Sequence, residues 1–175
     1  MSRSGQGIEQ SRARWHAVPR TLSFVLNGGD VLLLRGAPTK RIWPNLYNGL
    51  GGHVERDEDV YASAAREIRE ESGLQVHDLR LCGVTVIDAG DPQTGILMFA
   101  FTARSNSRAT QPSDEGTLEW VPRDRLAEYD LVEDLRVILP HILAMPDDAP
   151  PYFARYSYDA GDRLVIEMGG RITPP

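Results

Sequence analysis

The 175-residue sequence contains a single cysteine, Cys82, and no uncharged apolar run long enough to span a bilayer. A single cysteine excludes an intrachain disulfide and a cysteine-based zinc cluster, so we interpret Cys82 as a small apolar core residue. The first 20 residues contain four arginines and no apolar stretch, which argues against a secretory signal. These absences predict a soluble protein of the reducing cytoplasm, without membrane contact.

An excess of positive charge is also missing. The formal net charge is −6, whereas proteins that bind nucleic-acid polymers usually carry a basic face. Neither G-x-G-x-x-G nor G-K-[ST] occurs, so the glycines of residues 49–52 predict neither a dinucleotide fingerprint nor a P-loop. We therefore expect no nucleic-acid polymer as a partner. A small anionic ligand is compatible with this charge if a divalent cation lies between ligand and protein.

The composition is that of one globular domain, with 41% hydrophobic and 25% charged residues. A chain of this length buries roughly 70% of its unfolded surface, which is enough for a single core. The 16 Gly and 12 Pro indicate a loop-rich α/β or α+β domain. We interpret residues 1–17 as a mobile N-terminal arm, residues 18–168 as the domain and residues 169–175 as a frayed tail.

Turn signals and apolar periodicity predict alternating strands and helices. Asn and Gly at 27–30, between two β-prone runs, are a strong hairpin signal. The stretch 36–52 is a loop of a length that is usually functional. Gly73 ends the first helix. The predicted elements are strands over 21–26, 31–35, 79–87, 96–103 and 117–121, helices over 57–72 and 133–143, and two strands within 152–168.

The first predicted helix carries acidic residues on its buried side. Its apolar stripe, at about 100° per residue, consists of Val60, Tyr61, Ala64, Ala65 and Ile68. Glu71 falls inside this stripe and Glu67 at its edge. Such Arg/Glu segments also occur on solvated helices, but like charges at i,i+4 repel, and burying them unpaired costs far more. A bound divalent cation would remove both the repulsion between the two carboxylates and the cost of burying them. Mg²⁺ takes one or two carboxylates together with water and substrate phosphate.

The spacing around this helix is specific. Glu58 follows Gly52 after five residues, Arg66-Glu67 follows after seven more, and the segment closes with Glu70-Glu71-Ser72-Gly73-Leu74. This matches the Nudix box, G-x5-E-x7-R-E-U-x-E-E-x-G-U with U an aliphatic residue, at every defined position. The sequence therefore resembles the Nudix hydrolases.

The resemblance implies an α/β fold, an α/β/α sandwich with a mixed β-sheet, and hydrolysis of a nucleoside diphosphate linked to another group with Mg²⁺ or Mn²⁺. The implied metal ligands are Glu67, Glu71 and the carbonyl of Gly51. Glu70 would be a further ligand, and either it or Glu67 the base that activates water. Arg66 would hold the carboxylates in position. Structural support is implied for Gly52, Glu58 and Gly73.

A further ligand is expected away from the helix, because adjacent glutamates alone do not surround a metal. Asp114-Glu115 resembles the acidic residue that several family members supply in this loop, and Glu115 is our candidate. The alternative is an exposed loop acid without a role.

Phosphate contacts are expected from residues that flank the glycines. His53 stands where MutT-like members commonly carry Lys, so it can donate a hydrogen bond but brings no fixed charge. Lys40, Arg41 and Arg35 flank the long loop, and their alternative role is to solubilise it. The remaining histidines, which show no ligand spacing and are interpreted as surface or packing residues, are His16, His77 and His141.

Two segments resemble one branch of the family. Residues 43–52 are similar to the W-N-G-F-G-G segment of MutT-like nucleoside triphosphate pyrophosphohydrolases, and residues 129–134 to the acidic base-contacting stretch of animal-type oxidised-purine triphosphatases. We therefore expect Asn48, Glu133 and Asp134 to contact a purine, as in 8-oxo-dGTP cleaved to monophosphate and pyrophosphate. Alternatively, Glu133 and Asp134 only begin the second helix. The alternative functions are hydrolysis of ADP-ribose or of a dinucleoside polyphosphate, and nucleotide sensing without catalysis. The sequence does not predict the oligomeric state.

Overall fold

A mixed eight-stranded sheet with one helix on each face forms the protein in the computed structural model, which describes residues 14–113 and 115–169. Its elements are β1 (His16–Asn27), β2 (Asp30–Gly36), β3 (Tyr47–Asn48), α1 (Val60–Ser72), β4 (His77–Ile87), β5 (Thr94–Arg104), β6 (Gly116–Pro122), α2 (Leu135–Ala144), β7 (Tyr152–Tyr158) and β8 (Leu164–Met168). The sequence analysis missed a 3-10 helix at Arg123–Glu128. In the described part of the chain, no helix is long and apolar enough to cross a membrane.

The strand order is β3-β2-β1-β5-β4-β7-β8, and β6 pairs with β2. The pairs β1·β5 and β4·β7 are parallel, whereas β1·β2, β2·β6, β4·β5 and β7·β8 are antiparallel. The predicted α/β class and the α/β/α sandwich with a mixed sheet are confirmed. The predicted hairpin at 27–30 forms, and β4·β5 and β7·β8 are two further hairpins. Each joins two β-prone runs through a turn rich in Gly, Asn or Asp.

The first strand is longer than predicted. β1 begins at His16, whose register partner is Thr94 of β5, so residues 16–17 belong to the sheet and not to an arm. The sequence pattern did not predict this pairing, because the first residues of β1 are exposed and lie in a polar run. Residues 1–13 of the predicted arm and residues 170–175 of the predicted tail lie outside the described residues.

Two apolar cores lie on opposite faces of the sheet. The α2-side core includes Phe24, Cys82 and Leu139, so the interpretation of Cys82 is confirmed. The smaller α1-side core is built around Ile68. The predicted helix stripe is wrong at Tyr61, which is 55% exposed. The Tyr61 ring packs edge-on against Phe101 of β5, with the ring centres 6.5 Å apart, and the rest of its side chain stays exposed.

Both helices begin later than predicted. The Asp59 carboxylate accepts hydrogen bonds from the N–H groups of Tyr61 and Ala62, so this residue caps α1 and residues 57–59 stay outside the helix. Helix α2 begins at Leu135 instead of 133. Gly73 ends α1 as predicted, at a left-handed φ of 74° that favours glycine.

Candidate active site

A cavity of about 420 Å³ opens where β1, the β2–β3 loop and the glycine segment after β3 meet. Acidic, basic and apolar side chains share its wall. The lining residues include Arg20, Leu22, Lys40, Arg41, Ile42, Trp43, Asn48, Gly51, His53, Glu71, Met98 and Glu115.

The glycine segment runs antiparallel to β1. Ser23 pairs with Leu50 and Arg20 with His53, and the Thr21 N–H donates to the carbonyl of Gly52. A Cβ on Gly51 would lie 2.2 Å from the Thr21 carbonyl oxygen, and its φ of 147° disfavours other residues. A Cβ on Gly52 would lie 2.5 Å from Glu67 Oε1. The missing side chain of Gly51 thus lets β1 approach this segment closely, and that of Gly52 lets α1 approach it.

The acidic residue nearest to this backbone is Glu71. Its side chain is buried, and Oε2 accepts a hydrogen bond of 3.0 Å from the N–H of Gly51. Burial raises its pKa to about 7, the Gly51 N–H opposes this, and the charges of Glu115 and Glu67 add to it. The helical periodicity therefore located this carboxylate correctly.

Arg66 holds three carboxylates at once. Its Nε and Nη2 bind the two oxygens of Glu58 at 3.0 and 2.6 Å, and Nη1 donates to Glu67 and Glu70 at 2.9 and 3.0 Å. Nη2 also donates to the carbonyl of His53 at 3.2 Å, which ties α1 to the glycine segment. The hydrogen bonds from Arg66, with one from the N–H of Glu55, lower the pKa of Glu58 to about 2.

The donor set suits a hard divalent cation. Across residues 14–113 and 115–169, no three acidic, histidine or cysteine side chains converge closely enough to form a ready-made metal cage. Glu67 and Glu71 both face the Gly51-Gly52 backbone, and Mg²⁺ needs only one or two carboxylates from protein. The other two candidates are paired elsewhere: Glu70 with Arg66, and Glu115 with Lys40. The buried Glu71, whose like-charged neighbours raise its pKa, fits a site that a cation completes.

The predicted phosphate contacts divide into two groups. Lys40, Arg41 and His53 line the cavity, as does Asn48, whose Oδ1 accepts from the N–H of Gly49. Arg35 does not line it, and its guanidinium lies 5.9 Å from the Tyr47 ring centre. Because strand residues alternate between faces, its neighbours on β2 face the cavity and Arg35 faces away. The prediction for Arg35 is therefore wrong.

Two of the three predicted base contacts, Glu133 and Asp134, lie at the start of α2, beyond the lining of this cavity. Glu133 is exposed, which does not fit a base contact, whereas Asp134 is half-buried and its carboxylate makes no capping hydrogen bond. Burial raises the pKa of Asp134, and backbone N–H groups at the helix start partly oppose this. The buried hydroxyls of Tyr152 and Tyr156 on β7 have no hydrogen-bond partner in the described structure. The charge of Asp134 contributes, after burial, to the raised pKa of both phenols.

The sequence pattern did not predict one of the residues that line the cavity. Arg20, on β1, is half-buried, and its Nε is fully buried without a hydrogen-bond partner among the described residues. The available signal was a charged residue directly before the apolar run of β1. Of the other histidines, His141 packs against Tyr152, whereas His77 contacts Asp78 and Asn106 at the surface; His16 begins β1.

Comparisons with known proteins agree with this geometry. The NUDIX domain model matches residues 17–142. The chain is 34% identical over 108 residues to the NAD-capped RNA hydrolase NudC of Stutzerimonas stutzeri (strain A1501), covering 61% of this chain and 37% of the relative. It is 42% identical over 170 residues to the human m7GpppN-mRNA hydrolase NUDT17, covering 84% of this chain and 51% of the relative. The chain thus spans about half or less of these curated relatives.

A solved structure shows the same fold. The MutT protein of Bacillus halodurans superposes with a TM-score of 0.72 at 23% identity, over 86% of this chain and 97% of that one.

Proposed function

The chain belongs to the Nudix family, whose members are pyrophosphohydrolases, and from this premise we propose that it hydrolyses a phosphoanhydride in a nucleoside diphosphate linked to another group. The observation that carries the proposal is the buried carboxylate of Glu71 against the Gly51 N–H, at a cavity that Glu115 also lines. A nucleotide-binding sensor would have no need for this costly buried carboxylate.

Each residue of the site has a proposed task. Glu67, Glu71 and the Gly51 carbonyl would hold Mg²⁺ or Mn²⁺, with Glu115 as a further ligand once it leaves Lys40. When bound, such a cation would neutralise phosphate charge and favour deprotonation of the attacking water. Glu70, which is 53% exposed in its side chain, is placed to take that proton as the base, with Glu67 as the alternative. Arg66 positions both carboxylates.

The test is Glu71→Gln, which keeps the shape of the side chain and its ability to accept from Gly51. We expect turnover of a nucleotide panel to fall by orders of magnitude with the fold retained, and wild-type activity to vanish in EDTA. The matched control is Glu55→Gln, an exposed acid whose only described role is to donate its own N–H to Glu58. Near-normal turnover of Glu71→Gln would remove the basis of the proposal. Nucleotide binding without any wild-type turnover would favour the sensor.

Within this class, we propose a purine nucleoside triphosphate as substrate, including oxidised forms such as 8-oxo-dGTP. Asp134 supports this choice, because it is half-buried, its carboxylate does not cap its helix, and it lies near two unpartnered phenol hydroxyls. Buried polar groups without partners are costly, and a ligand with adjacent donors satisfies them. A guanine-like edge offers such donors.

The discriminating measurement is the ratio of kcat/KM for dGTP or 8-oxo-dGTP to that for dCTP. Asp134→Asn should lower this ratio roughly tenfold or more, because an unpaired polar group in a base pocket costs about 1–3 kcal/mol. Glu133→Gln is the matched control, because the Glu133 side chain is exposed. This variant should leave the ratio unchanged. A wild-type ratio near one would contradict the purine assignment.

A second candidate is a substrate with a nucleoside or ribose on both sides of the pyrophosphate, such as a dinucleoside polyphosphate or ADP-ribose. Trp43 and Ile42 favour it, because both line the cavity mouth and are 49% and 53% exposed. An exposed indole is a stacking surface for a second base. Two relatives are named for capped RNAs, so the panel includes a capped RNA. Trp43→Ala should reduce kcat/KM for two-sided substrates only, if they are the true class.

A further inference from the structure

Arg20 is a cation without a protein partner inside the cavity. Neither a hydrogen bond nor an ion pair reaches its guanidinium from the described residues, and its Nε is fully buried. A buried charge without a partner is costly, so such a group is retained where a ligand supplies the missing acceptors.

The neighbouring charges do not explain it. Lys40, which lines the same cavity, is already paired with Glu115. Arg20 makes no ion pair with any described residue, so it is not the counter-ion of Glu71. His53 is its cross-strand partner and brings no fixed charge. Arg66 also reaches this end of the glycine segment, but it is paired with three carboxylates. Arg20 therefore carries a fixed positive charge there that no described carboxylate pairs.

The strand register fixes where Arg20 lies. It is two residues before Leu22 of the α2-side core, so it lies on the α2 face of the sheet. On that face it pairs with Met98, Met98 pairs with Thr85, and Thr85 pairs with Ala154. Ala154 is flanked on the same face by Tyr152 and Tyr156, which lie near Asp134. Arg20 thus lies between the carboxylates of α1 and the side chains of Asp134, Tyr152 and Tyr156.

We propose that the Arg20 guanidinium binds the phosphate attached to the nucleoside, the 5′-phosphate. This inference rests on the proposed function for the identity of the ligand as a nucleotide. A guanidinium presents parallel N–H donors that match two oxygens of one phosphate. In the proposed function, the carboxylates of α1 would hold the polyphosphate through the cation and Asp134 would contact the base, so the 5′-phosphate would be the group between them.

The test measures equilibrium binding of three probes by calorimetry: dGMP, deoxyguanosine and inorganic pyrophosphate, each with Mg²⁺. Arg20→Gln should weaken dGMP binding roughly tenfold to a hundredfold and leave deoxyguanosine binding unchanged. Binding of dCMP should weaken by the same factor, since a phosphate contact carries no base preference. Arg20→Lys, which keeps the charge and loses the fork, should weaken dGMP binding less, and it tests the proposal if Arg20→Gln fails to fold.

Arg56→Gln is the matched control, because Arg56 follows the glycine segment but is exposed and does not line the cavity. An equal loss in that variant would mean that only the overall positive field matters, and it would overturn the proposal. A loss confined to pyrophosphate, or one that also affects deoxyguanosine, would overturn it as well. Failure of the proposed function looks different: Arg20-dependent dGMP binding would persist in a protein that hydrolyses no member of the nucleotide panel.

Discussion

At the scale of single residues, Arg66 is the centre of the site. It is bonded to Glu58, Glu67, Glu70 and the carbonyl of His53, so one guanidinium sets the positions of three carboxylates and of the glycine segment. Every one of its strong contacts is to protein, which leaves little donor capacity for a substrate.

We predict that Arg66→Lys weakens metal binding and lowers kcat, because an ammonium group cannot reproduce the bidentate fork on Glu58. Mn²⁺ titration, followed by kinetics at saturating metal, separates the two effects. Arg69→Lys, on the exposed side of α1, is the control and should change neither quantity. A rise in KM alone, with metal affinity intact, would instead assign Arg66 to substrate binding.

Residues on helices were easier to predict than residues on strands. The burial of Glu71 and the exposure of Glu70 follow from the helical period alone. For Arg35 and Arg20, the face of the strand decides whether the side chain meets the cavity, and that depends on pairing with distant segments. Arg20 faces the cavity because the segment 50–53 inserts beside β1, a contact that no local pattern encodes.

At the scale of elements, α1 is fixed at both ends by side chains from outside the helix. Asp59 caps its start. At its end, Gln111 donates its side-chain N–H to the carbonyl of Glu70, and its backbone N–H to the carbonyl of Ser72. The acidic residues 70–71 therefore lie in a last turn that depends on the loop between β5 and β6. The sequence placed the helix end at Gly73 but could not show this loop contact, because 39 residues or more separate its partners.

We predict that Gln111→Ala destabilises the protein by about 1 kcal/mol, because one hydrogen bond to a helix-end carbonyl is lost. For a chain of this size, the melting temperature should fall by roughly 2–4 °C. Amide exchange should also quicken in the last turn of α1. Gln93→Ala, an exposed loop position whose described bonds involve only the backbone, is the control. Unchanged exchange at residues 69–73 would show that the loop does not hold the helix end.

At the scale of the whole molecule, the site joins the two faces of the sheet. The carboxylates come from α1 on one face, and Asp134, Tyr152 and Tyr156 lie with the core on the other. The insertion of residues 50–53 between β2 and β1 connects them. A consequence for the whole protein is that a buried carboxylate and its cation couple stability to pH.

We predict that the metal-free protein loses stability as the pH rises from about 5 to 8, relative to Glu71→Gln. Burial raises the pKa of Glu71 from 4.5 to about 7, so the folded state binds a proton more tightly than the unfolded state. The stabilising contribution of Glu71 is therefore fully present below the pKa that it has in the unfolded state. It is lost as the pH rises through the pKa that it has in the folded state. The difference should reach roughly 3 kcal/mol at most, since one pKa unit corresponds to about 1.4 kcal/mol.

Urea unfolding of both proteins in EDTA at pH 5 and pH 8 measures this difference. Glu58, Glu128 and Asp159 have lowered pKa values and act with the opposite sign, but they are common to both proteins and cancel in the comparison. Adding Mg²⁺ at pH 8 should stabilise the wild type, because the cation binds the ionised carboxylate of the folded state, and should have little effect on Glu71→Gln. Parallel pH profiles for the two proteins, or equal stabilisation by Mg²⁺, would mean that Glu71 is not the residue through which metal binding and folding are linked.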